Sequence, residues 1–320
     1  MSNILFIKTS SFGDVIHHMP AVTEARRHRP DAHVAWVVEE AFAPVVRLHP
    51  AVDEVIPVAS RRWRRALFRS GTWKEVWGFA RANRRLRHDD IIDSQGLFRS
   101  ALIARLARGR RHGYDAASIR ERLASSLYDV RHKVDRDLHA IERNRILTGV
   151  ALGYAPAGDI DFGLDPDALR PAGTGRYAVL LHATARREKQ WPEERWIEAG
   201  RALQADHLGL IVPFGTEVER DRSRRIASAL PQSEVPERRP LDAMARLLAG
   251  AALVVGVDTG LVHLAAALRV PLVALFTGSE PRLTGPMGTG PIAIVGRNGR
   301  VPSVVDVVAA TQRVIAAKRD

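Results

Sequence analysis

The sequence predicts two doubly wound α/β domains within a single chain of 320 residues. Short continuous apolar runs such as Leu253 to Val257 and Leu272 to Phe276 have the character of strands buried on both faces, as parallel sheets require. Strand-like and helix-like segments alternate in both halves. Between the halves, residues 153 to 175 accumulate Gly, Pro, Asp and Ala without periodicity, which is linker composition. The expected division is 1–158, a linker 159–175, 176–302, and a closing helix at 303–320 that packs back on the N-terminal domain. With 46% hydrophobic residues, each domain can bury a core.

Asn3 to Lys8 reads as the first strand, Thr9 to Gly13 as a loop, and Asp14 to His28 as a helix ending before Pro30. His33 to Val38 is a second strand, and Val55 to Val58 and Ile91 to Asp93 are short further ones with basic helical material between them. Helical patterning dominates from Leu97 to Leu152. After the linker come strand Tyr177 to His182, a helix from Pro192, strand Leu208 to Pro213 and a helix through Arg220 to Leu230. Strand Leu253 to Val257, a helix from Thr259, strands Leu272 to Phe276 and Ile292 to Val295, and an amphipathic helix from Val304 to Lys318 complete the chain.

The chain has no cysteine, which removes disulfides, thiolate metal sites and cysteine nucleophiles and fits an intracellular protein. Ile4 to Ile7 is followed at once by Lys8, so no secretory leader is expected. No apolar run approaches the ~20 residues that span a bilayer. A net charge of +12 and a pI near 10.9 call for an anionic partner. Between Arg61 and Arg87 stand ten basic residues with Glu75 as the only acid, interleaved with Trp63, Phe68, Trp73, Trp77 and Phe79. Arg99, Arg105, Arg108, Arg110 and Arg111 follow. A solvated helical face is the plain alternative, but the density favours an anion-binding surface.

Chemistry-bearing residues collect where strands end. In open parallel sheets that is the ligand crevice, and a helix starting there offers free amides to phosphate. Val257-Asp258-Thr259-Gly260-Leu261-Val262-His263 puts a carboxylate, a hydroxyl, a glycine and an imidazole at such a turn. Thr9-Ser10-Ser11-Phe12-Gly13-Asp14 does the same after the first strand, and Asp14 is either a helix cap or a general base facing the crevice. His182-Ala183-Thr184-Ala185-Arg186-Arg187-Glu188-Lys189 is either a solvated loop or a phosphate site at Thr184 and Lys189. Lys189 is one of only five lysines, against 43 arginines, and so marks a place for a compact point charge. Glu217 and Glu219 close the next strand, as ordinary first-turn acids or as acceptors for ribose hydroxyls. There is neither a Walker loop nor a G-x-G-x-x-G, which argues against a nicotinamide enzyme or an ordinary kinase. Asp159-Ile160-Asp161 and Asp165-Pro166-Asp167 lie in the linker, the latter as a helix start. His17 and His18 point about 100° apart on a helix, so no metal is expected.

Taken together, Lys8 to Val15, Trp36-Val37-Val38-Glu39-Glu40, Ile56-Pro57-Val58 with Arg61-Arg62-Trp63-Arg64, and Asp93-Ser94-Gln95-Gly96-Leu97 resemble the N-terminal half of the lipopolysaccharide heptosyltransferase I family. His182-Ala183-Thr184, Lys189, Trp191-Pro192-Glu193-Glu194 and Val257 to Leu261 with His263-Leu264 resemble its C-terminal half. The resemblance implies a GT-B glycosyltransferase: two Rossmann-like domains facing across a cleft, inverting and metal-independent, with no cofactor. It implies ADP-L-glycero-β-D-manno-heptose as donor and the Kdo of Kdo-lipid A as acceptor, at the cytoplasmic face of the inner membrane, where the protein is peripheral. By that resemblance Asp14 is the catalytic base, Thr184 and Lys189 contact the pyrophosphate, and Glu219 the ribose. Asp258, Thr259, Gly260 and His263 surround the sugar and diphosphate. Ser10, Ser11, Arg61, Arg62, Arg64, Arg99 and Arg120 hold the acceptor. Ala185 departs from the pattern where a second hydroxyl is usual, and Arg239 where an apolar residue flanks the adenine. The basic Arg-Arg-Trp-Arg element and the Thr-Ser-Ser loop favour step I over step II. The rival readings are another heptosyltransferase, a sugar-nucleotide epimerase on the same architecture, which needs no arginine-rich surface, and a nucleic-acid-binding protein, for which no recognised motif is present.

Overall fold

The structure, a computed structural model, describes residues 2–318 apart from Leu67, Leu86, 173–175, Ala185, Asp206 and Asn298. The departure noted at Ala185 therefore lies outside the described residues. The chain divides into two compact units, Met1–Gly163 and Leu164–Asp320, so the division falls inside the segment read as linker.

The first unit carries β1 (Asn3–Ile7), β2 (His33–Glu39), β3 (Glu54–Val58), β4 (Arg87–Asp93), β5 (Arg108–Tyr114) and β6 (Val130–His132), all parallel, in the order β3-β2-β1-β4-β5-β6. The second carries β7 (Tyr177–Leu181), β8 (Gly209–Ile211), β9 (Ser233–Glu234), β10 (Leu253–Val257), β11 (Leu272–Phe276) and β12 (Ile292–Gly296), also parallel, in the order β12-β11-β10-β7-β8-β9. Counted from its own first strand, the second sheet repeats the order of the first. Each order reverses at one point, between β1 and β4 and between β7 and β10. Ligands bind outside the strand ends at such reversals.

The apolar runs form strands because both faces are covered. Leu5, Ile7, Ala35, Val37 and Ile91 lie in one core; Leu180, Val255, Val257, Val273 and Leu275 lie in the other, with Trp191 and Trp196 fully buried beside them. Register brings Ile7 opposite Asp93 and Leu181 opposite Gly256, so the residues just beyond these strand ends are neighbours.

One expectation is corrected. The segment 97–152, read as helical, contains β5 and β6 between the helices Phe98–Leu106 and Ala140–Leu152. The arginines of β5 stand at its start, where the strand is partly exposed, and its buried part is only His112, Gly113 and Tyr114. The closing helix, Val304–Ala316, puts Val307, Ala310 and Val314 into the second unit's own core. The reading of Asp165 as a helix start holds: its side chain accepts from the amides of Asp167 and Ala168.

Candidate active site

In the first unit the reversal between β1 and β4 gathers Lys8, Thr9, Ser10, Asp93, Ser94 and Gln95, all buried. Lys8 donates from Nζ to the Ser94 carbonyl at 2.8 Å and to Asn144 Oδ1 at 3.4 Å. Burial lowers its pKa, and the negative charges of Asp14 and Asp93 oppose that shift. Gln95 Oε1 accepts from the amides of Thr9 and Ser10, both at 3.0 Å, and so fixes the loop that leads to Asp14. Asp93 accepts from Tyr128 Oη at 2.7 Å and from the Gln95 amide at 2.9 Å, while complete burial raises its pKa.

Asp14 lies in the first turn of the helix Phe12–His28 and is half-buried. Its Oδ2 accepts from the Ser11 amide at 2.7 Å and from Ser11 Oγ at 2.9 Å, so the cap anticipated from the sequence is present. Capping uses one carboxylate oxygen and leaves Oδ1 for a second role. Ser10 is tied to Arg99, whose guanidinium donates to Ser10 Oγ at 2.6 Å. Burial and then the charge of Arg64 lower the pKa of Arg99.

The remaining acceptor arginines are not alike. Glu39 Oε1 accepts from the Arg61 amide at 2.9 Å, while the Arg61 guanidinium lies 5.0 Å over the Phe42 ring. Arg64 and Arg120 are exposed. Arg62 pairs with Glu40 at 3.1 Å and Glu75 at 2.8 Å, and Trp63 also donates to Glu75. Both carboxylates already meet its charge, which makes it a brace for the helix Ser60–Arg65. A groove of about 460 Å³ lined by Glu39, Arg61, Arg62, Arg65 and Arg69 runs alongside.

In the second unit the reversal between β7 and β10 brings together three residues singled out in the sequence. Lys189 Nζ donates to Asp258 Oδ2 at 2.5 Å, and Thr184 Oγ1 donates to the Asp258 carbonyl at 3.3 Å. Ser279, which sequence reasoning missed, donates to the same Asp258 Oδ2 at 2.6 Å. Burial pushes the Asp258 pKa up, but the hydrogen bonds from Lys189 and Ser279, with the Lys189 and His263 charges, outweigh it and hold the carboxyl below its usual range. Thr259 is the N-cap of the helix Gly260–Ala267 and makes no side-chain cap bond, and His263 sits buried in that helix.

The loop after β11 clasps the loop that carries Lys189. Thr277 Oγ1 donates to the Glu188 carbonyl at 2.8 Å, and a Cβ on Gly278 would stand 2.5 Å from the same oxygen. Only glycine permits that approach. His182, at the end of β7, is hydrogen-bonded to Ser223 Oγ at 2.7 Å, and burial depresses its pKa to about 4, so it stays neutral. Ser223 lies on the helix Glu217–Ser228, whose first turn holds Glu219. Glu219 Oε2 accepts from the amides of Gly215 and Thr216 at 2.8 and 3.0 Å, again a capping box that leaves the other oxygen for a ligand. Arg239 lines a separate cavity of about 580 Å³ with Tyr177, Ile211 and Leu247. Among the described residues no group of three or more His, Asp or Glu side chains is arranged to hold a metal ion.

A sheet reversal lined by lysine, threonine and serine hydroxyls and an uncapped helix start is suited to a nucleotide diphosphate. The family model described as glycosyltransferase family 9 (heptosyltransferase) matches residues 76–310. The chain belongs to glycosyltransferase family 9, the heptosyltransferases. Within that family it is similar to lipopolysaccharide heptosyltransferase 1 of Escherichia coli strain K12, 43% identical over 289 residues that cover 89% of this chain and 91% of the relative. Among solved structures it resembles the E. coli heptosyltransferase WaaC with ADP, with a TM-score of 0.90 at 38% identity over 98% of this chain and 99% of the other. It also resembles WaaC with ADP-2-deoxy-2-fluoro heptose, with a TM-score of 0.86 at 38% identity over 99% of both chains. The family 9 chain is thus a glycosyltransferase of the GT-B class with two parallel-sheet α/β units.

Proposed function

We propose that this family 9 enzyme catalyses the first heptose transfer of lipopolysaccharide core assembly, from ADP-heptose to the Kdo sugar of Kdo-lipid A, with inversion and without a metal ion. The observation that carries the reading is the Lys189, Asp258 and Ser279 cluster beside Thr184 at the second sheet's reversal. The likeness to heptosyltransferase 1, and to the two WaaC complexes with ADP and an ADP-heptose analogue, supports this step and this donor.

In this reading the acceptor hydroxyl attacks the anomeric carbon in line as the bond to the diphosphate breaks. Asp14 Oδ1 takes the hydroxyl proton, and ADP departs. A base is worth about 10²- to 10⁴-fold in such a step. Negative charge growing on the diphosphate is met by Lys189, by Thr184 and by the amides at Thr259 and Gly260. Asp258 holds Lys189 in place before the donor arrives, and Glu219 accepts from the ribose hydroxyls. Ser10, Ser11, Arg61, Arg64, Arg99 and Arg120 bind the acceptor, where the arginine fork suits carboxylate and phosphate alike. Arg62 assists by bracing its neighbours.

The test is transfer of heptose from ADP-heptose to a Kdo-bearing lipid A precursor, with and without chelator. The reading expects product in both, and ADP rather than UDP to protect the protein against thermal unfolding. Failure to use this pair, with turnover of another acceptor, would move the chain to a different step.

A further inference from the structure

We infer that the helix Ser70–Arg85 and the turn before it form a docking surface for an anionic lipid bilayer, with Phe68 and Trp77 as its inserting side chains. The helix already has a complete inward stripe: Thr72, Val76, Phe79, Ala80 and Asn83 recur at helical spacing and are buried or half-buried, with Phe79 packed on the first unit's core and against Trp63. Its outward side needs nothing apolar for folding. Yet Trp73 and Trp77, four residues apart and so on one face, are 52% and 69% exposed, and Phe68 just before the helix is wholly exposed. Of the chain's other tryptophans, Trp36, Trp191 and Trp196 are fully buried and Trp63 is half-buried. Exposed aromatics gathered within ten residues make an apolar patch of the kind that marks an interaction site.

Charge complementarity selects the occupant. Arg65, Arg69, Lys74, Arg81, Arg84 and Arg85 surround the aromatics and are all exposed, while the only acid of the stretch, Glu75, is already paired with Arg62. An apolar stripe flanked by a basic one suits a helix lying in the plane of a membrane, with aromatic rings at headgroup level and arginines on lipid phosphates. Each basic side chain near an anionic surface adds attraction that salt screens. No helix among the described residues is long and apolar enough to cross a bilayer, so contact of this kind would be in-plane. The inference deepens the proposed function, because the acceptor there is a lipid; none of these docking residues is assigned to the donor or the acceptor sugar.

The experiment is flotation of the full chain with phosphatidylglycerol/phosphatidylcholine vesicles and with phosphatidylcholine vesicles, at low and high salt, with a tRNA competitor. The expected result is binding to the anionic vesicles only, released by salt and not by tRNA at equal phosphate, with tryptophan emission quenched by brominated lipid. Trp77→Ala with Phe68→Ala should weaken vesicle binding about tenfold or more, and Arg84→Glu with Arg85→Glu, which leaves every aromatic in place, should do the same. Equal binding of parent and variants, equal binding to neutral vesicles, or preference for tRNA overturns the inference. Heptose transfer to a lipid-free Kdo acceptor separates the two readings. If parent and variants turn it over equally while vesicle binding is unchanged, only the docking surface falls; if the parent fails both on it and on Kdo-lipid A, the proposed function falls.

Discussion

The Lys189–Asp258 pair offers a prediction in which stability and donor binding part company. The two side chains are 18% and 13% exposed, and Ser279 shares the same carboxylate oxygen. Lys189→Met leaves a largely buried carboxylate with the Ser279 hydroxyl and the nearby His263, which should cost about 3 kcal/mol, the lower end for loss of one partner of a buried pair. Asp258→Asn strands a lysine whose flexible stem can reach water, at about 1.5 kcal/mol. The double variant removes both charges and should cost about 2 kcal/mol rather than the additive 4.5, a coupling of roughly 2.5 kcal/mol. Urea unfolding of the four proteins measures this. ADP affinity, read by calorimetry, should follow Lys189 alone: every protein lacking it loses one charge-assisted hydrogen bond to the diphosphate, about tenfold or more in Kd. Additive stabilities within about 0.5 kcal/mol, or ADP binding that recovers in the double variant, would refute the reasoning.

Further predictions follow from the same geometry. Because the folded Asp258 pKa lies below its unfolded value near 3.9, its stabilisation is full above about pH 5 and is lost as pH falls through the folded pKa; the stability gap between the parent and Asp258→Asn should therefore close below about pH 4. Gly278→Ala forces the Thr277–Ser279 loop off the Glu188 carbonyl, and kcat/KM for the donor should fall by about tenfold to a hundredfold while the first unit's properties stay unchanged. Arg61→Glu with Arg64→Glu should lower kcat/KM for the acceptor more than about tenfold and leave ADP affinity intact, and equal damage to both would assign the arginines to structure.

How much was legible in the sequence depended on whether a signal was local. β1, β2, β10 and β11 announce themselves because both faces are buried and the middle of each run is apolar. β5 hides because four of its seven residues are arginine or histidine, and β9 has only two residues. Asp14, Thr184, Lys189 and Asp258 could be singled out by their place at strand ends, and the cap at Asp14 was one of the two roles open to it, but that placement did not reveal that Glu219 spends one oxygen on a helix cap. The partners of distant residues were beyond reach. Gln95 acts on Thr9 from 86 residues away and Ser279 on Asp258 from 21, pairings that exist only once the sheets have formed. The partners of Arg62, Glu40 and Glu75, stand 22 and 13 residues away and were equally out of sight.

The central claim concerns Asp14, whose Oδ2 caps the helix while Oδ1 is assigned the acceptor proton. The most direct test is Asp14→Ala, with heptose transfer from ADP-heptose to Kdo-lipid A and ADP affinity measured on the same preparation. The account predicts turnover reduced by at least about a hundredfold with ADP binding nearly unchanged, beside a loss of about 1 kcal/mol of stability from the missing cap. A variant that keeps most of its turnover would contradict it.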